Sequence, residues 1–133
     1  MMIHFRNTIT VLLVLFIAIS GFSQQTAALP DGLIMAIKKS DAETVSKSFN
    51  AQVELILPQK TAVYSQKQAQ MVIKDFFERN PVTEFKLIHQ GKKDKSSFAI
   101  ANYYASNDRF RFTFLTKIKS GKIYIHQIRI EKQ

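Results

Sequence analysis

Arg109-Phe-Arg-Phe-Thr-Phe-Leu-Thr-Lys-Ile-Lys119, then Ser120-Gly121, then Lys122-Ile-Tyr-Ile-His-Gln-Ile-Arg-Ile-Glu131, is the stretch that decides the fold. Phe110, Phe112 and Phe114 alternate with Arg111, Thr113 and Leu115, the period of two that marks a strand with one buried face. Gly121 supplies the left-handed backbone a tight turn needs, so the two halves pair as an antiparallel hairpin. Register then decides what looks inward, because a one-residue slip exchanges the two faces. A two-residue turn at Ser120-Gly121 would set Phe114 against Gln127 and Phe112 against Arg129, mixing polar groups into the apolar side. A three-residue loop, Lys119-Ser120-Gly121, sets Phe110, Phe112 and Phe114 against Ile130, Ile128 and His126. It gathers Arg111, Thr113, Lys117, Gln127, Arg129 and Glu131 on the other side, with Leu115, Ile123 and Ile125. The cleaner segregation is the expected one.

Working upstream, a turn at Asn107-Asp108 brings Ala105, Tyr103 and Ala101 opposite Phe110, Phe112 and Phe114. Small side chains facing large ones fill space without overcrowding. The expected inner wall is therefore Ala101, Tyr103, Ala105, Phe110, Phe112, Phe114, Tyr124, His126, Ile128 and Ile130. Strands are expected at 83–90, 98–106, 109–118 and 122–131, with a loop at 91–96. Ahead of them, Ser65-Gln66-Lys67-Gln68 forms a capping box. Ala69, Val72, Ile73 and Phe76 follow at helical spacing with Phe77, and this face should lie on the wall. Asn80 before Pro81 ends the helix. Gln52–Leu57 alternates as a strand, and 61–64 can pair with it. Two short helices precede these. One starts at Leu29-Pro30-Asp31-Gly32, where proline suits a first turn and Asp31 the positive end of the helix. The other starts at a capping box, Ser40 to Glu43. Helices first and strands in sequence afterwards mean an α+β domain, helices on one face of a curved antiparallel sheet.

The first residues read differently. Arg6 is followed by the apolar run Ile9–Ile19 and by the small residues Ser20, Gly21 and Ser23. That is the pattern of a secretory signal peptide over 1–23, cut after Ser23 and too short for a comfortable membrane span. The domain is then 24–133, exported to the periplasm or secreted, touching a membrane through the leader only if the leader stays on. Removing the leader leaves 18 Lys+Arg against 10 Asp+Glu, a charge of +8. That balance favours anionic partners, although export makes nucleic acid a poor one. The lysines are spread out apart from Lys92, Lys93 and Lys95. The chain has no cysteine, which excludes disulfides and a lipid anchor on an N-terminal cysteine, so the fold rests on packing.

With this order of elements, Val53-Glu54-Leu55, Val63-Tyr64-Ser65, Ile73-Lys74-Asp75-Phe76-Phe77, His89-Gln90-Gly91 and Gln127-Ile128-Arg129-Ile130 resemble a family of small exported bacterial proteins of unknown function. The family has the nuclear transport factor 2-like (cystatin-like) cone, and the likeness spans about residues 33–131. It implies a cone with a pocket between sheet and long helix. It implies no activity, since this fold hosts isomerases, transport factors and plain binding modules.

Polar groups on the expected wall are Tyr103, Tyr124 and His126. They would either line a pocket or fill the core with their tips satisfied locally. His89, at a strand end beside Phe85 and Leu87 by alternation, is a further candidate binding residue. Arg111, Lys117 and Arg129 on the outer face are candidate contacts to an anionic surface. No carboxylate faces the wall, which removes the buried acid that acid–base catalysis in such a cone needs. No histidine–carboxylate spacing suggests a metal, and no Gly-x-Ser-x-Gly, phosphate loop or dinucleotide fingerprint suggests a nucleophile or cofactor. The expected function is a non-catalytic exported module holding an unknown small ligand or envelope protein at the open end of its cone. The alternatives are a basic surface docking on anionic envelope polymers, and an acid–base enzyme using His126 with a tyrosine. A homodimer through Leu115, Ile123 and Ile125 on the outer face is also expected to be feasible.

Overall fold

A computed structural model describes residues 28–133; the leader expected over 1–23 lies outside them. Two short helices, α1 (Leu33–Lys38) and α2 (Ala42–Lys47), lead into β1 (Phe49–Ile56) and β2 (Thr61–Ser65). The long helix α3 (Gln66–Arg79) follows, and then β3 (Val82–Lys93), β4 (Ser96–Ala105), β5 (Arg109–Lys119) and β6 (Lys122–Lys132). The strands form one six-stranded sheet in the order β2-β1-β6-β5-β4-β3. Every pairing is antiparallel except β1 with β6, which is parallel. That pairing closes the sequence-distant ends of the domain and was not expressed in any local pattern.

Helix starts follow side-chain chemistry. The capping box at Ser65 forms as expected: the Gln68 N–H donates to the Ser65 hydroxyl, and the Ser65 N–H donates to Gln68 Oε1. The box expected at Ser40 does not form. Ser40 has φ 56°, and Asp41 caps α2 instead, accepting from the Thr44 N–H at 3.1 Å and the Thr44 hydroxyl at 2.6 Å. A carboxylate one residue closer to the helix holds two donors where Ser40 would hold one. Those bonds keep the Asp41 carboxyl below its usual range. At α1 the cap position is Gly32, with φ 78° and no side-chain cap, so Pro30 and Asp31 form the preceding turn.

The decisive hairpin corrects the expected register. Lys119 pairs with Lys122, so the turn is the two-residue Ser120-Gly121, with φ 51° and 75°. Positive φ at both positions is what a two-residue hairpin turn needs. The mixing this register threatened is avoided because β6 carries an extra residue: Thr116 pairs with Ile125, but Leu115 pairs with Gln127. The bulge at His126 shifts everything beyond it, so Phe114 faces Ile128 and Phe112 faces Ile130. This differs from the expected pairing by two residues there, which leaves the faces unchanged. Below the bulge the faces are reversed. Ile125 is wholly buried, so it and Ile123, which pairs with the inward Ile118, belong to the inner side. Tyr124 and His126 belong to the outer side. The β4–β5 pairing is also displaced by two, Tyr103 opposite Phe110 and Ala99 opposite Phe114, and again the faces hold. The loop expected at 91–96 shrinks to a turn at Asp94-Lys95, because β3 and β4 stay paired out to Lys93 and Ser96.

The buried face of α3, made by Ala69, Ile73, Phe76 and Phe77, lies on the wall as expected. Phe76 meets Phe110, Tyr103 and Phe112 edge-on, with ring centres 5.1, 5.4 and 5.7 Å apart. Tyr103 stacks on Phe112 at 5.0 Å and 8°. Phe85 closes the far side against Phe112 and Phe114. Aromatic pairs in these geometries add roughly 0.5–1.5 kcal/mol each beyond area burial. The cone is filled by rings.

Candidate functional site

The four residues expected to bind do not meet. Tyr103 sits on β4 inside the cone, fully buried, and its hydroxyl donates to the Asn80 carbonyl at the end of α3. A helix leaves its last carbonyls unpaired, and this hydroxyl satisfies one of them. Burial raises the Tyr103 pKa to about 12, so the proton stays on and the group is spent on structure.

Tyr124 and His126 are corrected to the outer face, for the reason the bulge gives. Tyr124 is opposite Lys117, and Lys122 Nζ stands 6.0 Å from its ring centre. His126 is half-buried, and its pKa is lowered by desolvation first and by the Lys117 charge second, with Glu54 opposing. His89 is displaced from the side of Phe85 and Leu87 by a second bulge. Leu87 pairs with Ala101 and His89 with Ile100, leaving Ile88 extra and 45 % exposed. His89 thus turns to the outer face, where its ring centre lies 5.4 Å from that of Phe98. Phe98 also covers Gly91, where a Cβ would collide with the ring edge. Along the cross-strand row His89, Ile100, Thr113, Arg129, the imidazole stands three strands from Arg129, about 14 Å. No nucleophile, base and donor converge anywhere in this set. Among the described residues, no three His, Cys, Asp or Glu group as metal ligands.

The outer-face cations are exposed, as the parity argument requires. They do not form one patch. Arg111 faces Glu131 across the ladder, and Arg129 Nη1 lies 3.6 Å from Glu131 Oε1. Lys117 belongs to another group. The β3–β4 and β5–β6 turns project at the same end of the sheet, tied by an Ile118 N–H donating to the Lys95 carbonyl at 3.1 Å. This joins Lys92, Lys93 and Lys95 to Lys117, Lys119 and Lys122, all exposed. Beside them a cavity of ≈ 430 Å³ opens between the Leu29–Gly32 segment, the end of α2 and the β5–β6 turn. Asp31, Thr44, Lys47, Ser48, Lys122 and Tyr124 line it. At the opposite end a smaller cleft of ≈ 190 Å³ holds Asp75, Arg79, Asp108 and Lys132. Those four neutralise one another as the pairs Arg79–Asp75 and Lys132–Asp108, at 3.0 and 3.1 Å.

Residues 30–131 match the domain of unknown function DUF4783. The chain belongs to the DUF4783 family. It is 32% identical to a DUF4783 protein from Bacteroides ovatus of known crystal structure, over 81% of this chain and 98% of that one, with a TM-score of 0.76. A DUF4783 protein from Bacteroides uniformis is 33% identical over 78% and 96%, with a TM-score of 0.74. An NTF-2 like protein of unknown function from Silicibacter pomeroyi shares the fold alone: 10% identity over 75% and 86%, TM-score 0.59. No curated protein matches the chain. The DUF4783 chain thus has the NTF2-like α+β fold, and none of these relatives carries a stated activity.

The surface feature not assembled from the sequence of this DUF4783 protein is the lysine-rich end. Lys92, Lys93 and Lys95 stand out as a cluster, whereas Lys117, Lys119 and Lys122 read as the ordinary polar rim of a hairpin. The signal that unites them is strand order, since β3–β4 and β5–β6 turn at the same edge of one meander.

Proposed function

We propose that the chain is an exported, non-catalytic binding module that works through its surface. The observation supporting this is the satisfied interior. Tyr103 donates to Asn80, Thr116 to the Ala28 carbonyl at 2.9 Å, and Ser46 to the Glu43 carbonyl at 2.7 Å. Among the described residues no buried side-chain polar atom is left without a partner. Buried polar atoms aimed into a void mark a ligand site or a catalytic centre, and here each is held by the chain itself. The chain's own groups thus hold the polar atoms that a ligand entering the cone would use, which supports a reading in which binding falls to the outside. The leader pattern of residues 1–23 supports export.

The test is to fractionate the producing cell and recover the protein by affinity under low salt. A chain starting at Gln24, outside the cytoplasm and carrying a component that high salt releases, is the expected result. An intact leader in the cytoplasm, or a bare protein, overturns the reading.

A further inference from the structure

We propose that the domain forms a symmetric dimer in which the β2 edge of one copy pairs with the β2 edge of a second. The dimer lies beyond the reading of the chain as a binding module and does not depend on it.

The β1–β2 hairpin leaves a defined set of backbone groups on its outer edge. The Leu57 N–H donates to the Lys60 carbonyl at 2.9 Å, which makes that pair a hydrogen-bonded one. Bonded and non-bonded pairs alternate along an antiparallel ladder. Ala62 and Tyr64, opposite Leu55 and Val53, therefore bond to β1. Thr61, Val63 and Ser65 turn their backbone groups away from β1, and β2 is the last strand of the sheet. All three residues are exposed, Val63 at 60%. The Ser65 N–H is held by Gln68 Oε1. Both groups of Thr61 and of Val63, and the Ser65 carbonyl, are thus aimed where a further strand would lie.

The two edges of the sheet differ in how they are guarded. β3, the opposite edge, is preceded by Pro81 and carries Lys86, Lys92 and Lys93. Its ladder to β4 also shifts register twice, at Thr83 and at Ile88. Proline, charge and bulges are the devices that keep an edge from pairing. Thr61–Ser65 has no charge, no proline and an unbroken register, so shortness is its one protection.

The strand also matches itself. Antiparallel pairing centred on Val63 sets Val63 against its twin, Ala62 against Tyr64 and Thr61 against Ser65. A β-branched pair, a small side chain facing a ring and two facing hydroxyls are all favourable cross-strand neighbours. Carried one and two residues further, the register sets Lys60 against Gln66 and Gln59 against Lys67, so no like charges meet. The two Val63 residues exchange N–H···O bonds, and each Thr61 N–H donates to the second copy's Ser65 carbonyl. Such a contact is closed by its own two-fold axis. The outer dimer face expected from Leu115, Ile123 and Ile125 offers less, because Ile123 and Ile125 lie on the inner side.

The test is sedimentation velocity on residues 24–133, which hold every core residue described above. It runs from ~10 μM to ~1 mM, the range of a small interface. A monomer–dimer equilibrium is expected. It should tighten between ~0.05 and ~0.5 M salt, because salt screens the repulsion between two basic chains while the paired edge is uncharged. Val63→Pro removes the central N–H of each copy and should weaken the dimer about 30-fold, the loss of two hydrogen bonds of ordinary strength. That N–H faces away from β1, so the hairpin keeps its own ladder. If Val63→Pro nevertheless unfolds the hairpin, a charge pair decides. Val63→Lys and Val63→Glu, each alone, set like charges face to face and should stay monomeric at low salt. Mixed in equal amounts they should recover the dimer, since an ammonium group then faces a carboxylate. Ile88→Lys puts the same charge on the β3 edge and should change association less than ~3-fold, being more than a Debye length away. A protein still monomeric at the highest concentration overturns the proposal and leaves the edge to a strand of another protein. So does a dimer that folded Val63→Pro leaves unaltered, that high salt dissociates, or that Ile88→Lys weakens as much as Val63→Lys. A mixture of the two charge variants that stays monomeric overturns it as well. None of these failures touches the binding module, whose fractionation test does not read the dimer.

Discussion

At the scale of single residues, position on the pleat decides chemistry. Tyr103 and Tyr124 are the same residue type on neighbouring hairpins, but one hydroxyl is buried against the end of α3 and the other side chain lies outside beside Lys117 and Lys122. His126 gives the sharper case. In the unfolded chain its imidazole titrates near 6.5; in the fold, desolvation and Lys117 lower that value and Glu54 only partly restores it. Above the unfolded pKa both states carry a neutral ring, and His126 contributes no pH dependence. As pH falls through the unfolded value, the unfolded chain takes up the proton first, so the native state loses stability. His126→Gln removes this proton uptake. The expected outcome, read from thermal midpoints between pH 8 and 5, is a wild type that loses ground to the variant as the medium becomes acid. A constant gap across that range would show that His126 is not desolvated. Asp41 adds a second loss at lower pH, since its depressed pKa stabilises the fold only while the carboxylate is charged, and both proteins share it.

At the scale of elements, strands were legible and their irregularities were not. The alternation of Phe110, Phe112 and Phe114 places β5 and its inward face without help from the rest of the chain, and the Ser65 capping box places α3. What escapes is the single extra residue. Ile88 and His126 each occupy one more position than the partner strand allows. An insertion of that kind leaves no mark on composition while reversing every side chain beyond it. Arg129 was placed on the correct face because it lies beyond the bulge, where the register error is two, and Arg111 because β5 alternates without an extra residue. Tyr124 and Ile125 were exchanged because they lie before it. The parallel β1–β6 pairing escaped for a different reason, since it joins residues far apart in sequence. The turn that anchors this register is itself strained. Ser120 holds φ 51°, a region where asparagine is favoured and serine is not. Ser120→Asn should therefore stabilise the domain by ~0.5 kcal/mol, since about 1–2 kcal/mol separates the left-handed from the right-handed form for ordinary residues. Denaturant unfolding is the measurement: the midpoint should rise with an unchanged slope. A falling midpoint would indicate that the serine side chain contributes something the asparagine cannot.

At the scale of the whole molecule, the beginning of the domain stabilises its far end. Ala28 and Leu29 are buried, at 2% and 6% exposure, against the edge of the cone that β5 and β6 leave uncovered. The Thr116 hydroxyl donates to the Ala28 carbonyl, with only a longer contact to the Ser97 carbonyl at 3.4 Å besides. Nothing in Ala28 or Leu29 announces this, since a short apolar pair has no periodicity to read. The segment closes the interior, forms one wall of the ≈ 430 Å³ cavity and holds the chain's entry beside the lysines. Removing it should be felt throughout. A chain beginning at Asp31 loses the burial of Leu29, about 1.5–3 kcal/mol, and leaves the Thr116 hydroxyl short of its main acceptor, roughly another 1 kcal/mol. Total stability for such a domain is about 5–15 kcal/mol, so the thermal midpoint should fall by ~10 °C or more relative to residues 24–133. Thr116→Val in the longer chain separates the two contributions, because it removes the hydroxyl and keeps the packed volume; it should account for the smaller share. If the shortened chain melts with the longer one, Ala28 and Leu29 merely rest on the sheet, and the end of the cone is closed by the β3–β4 and β5–β6 turns alone.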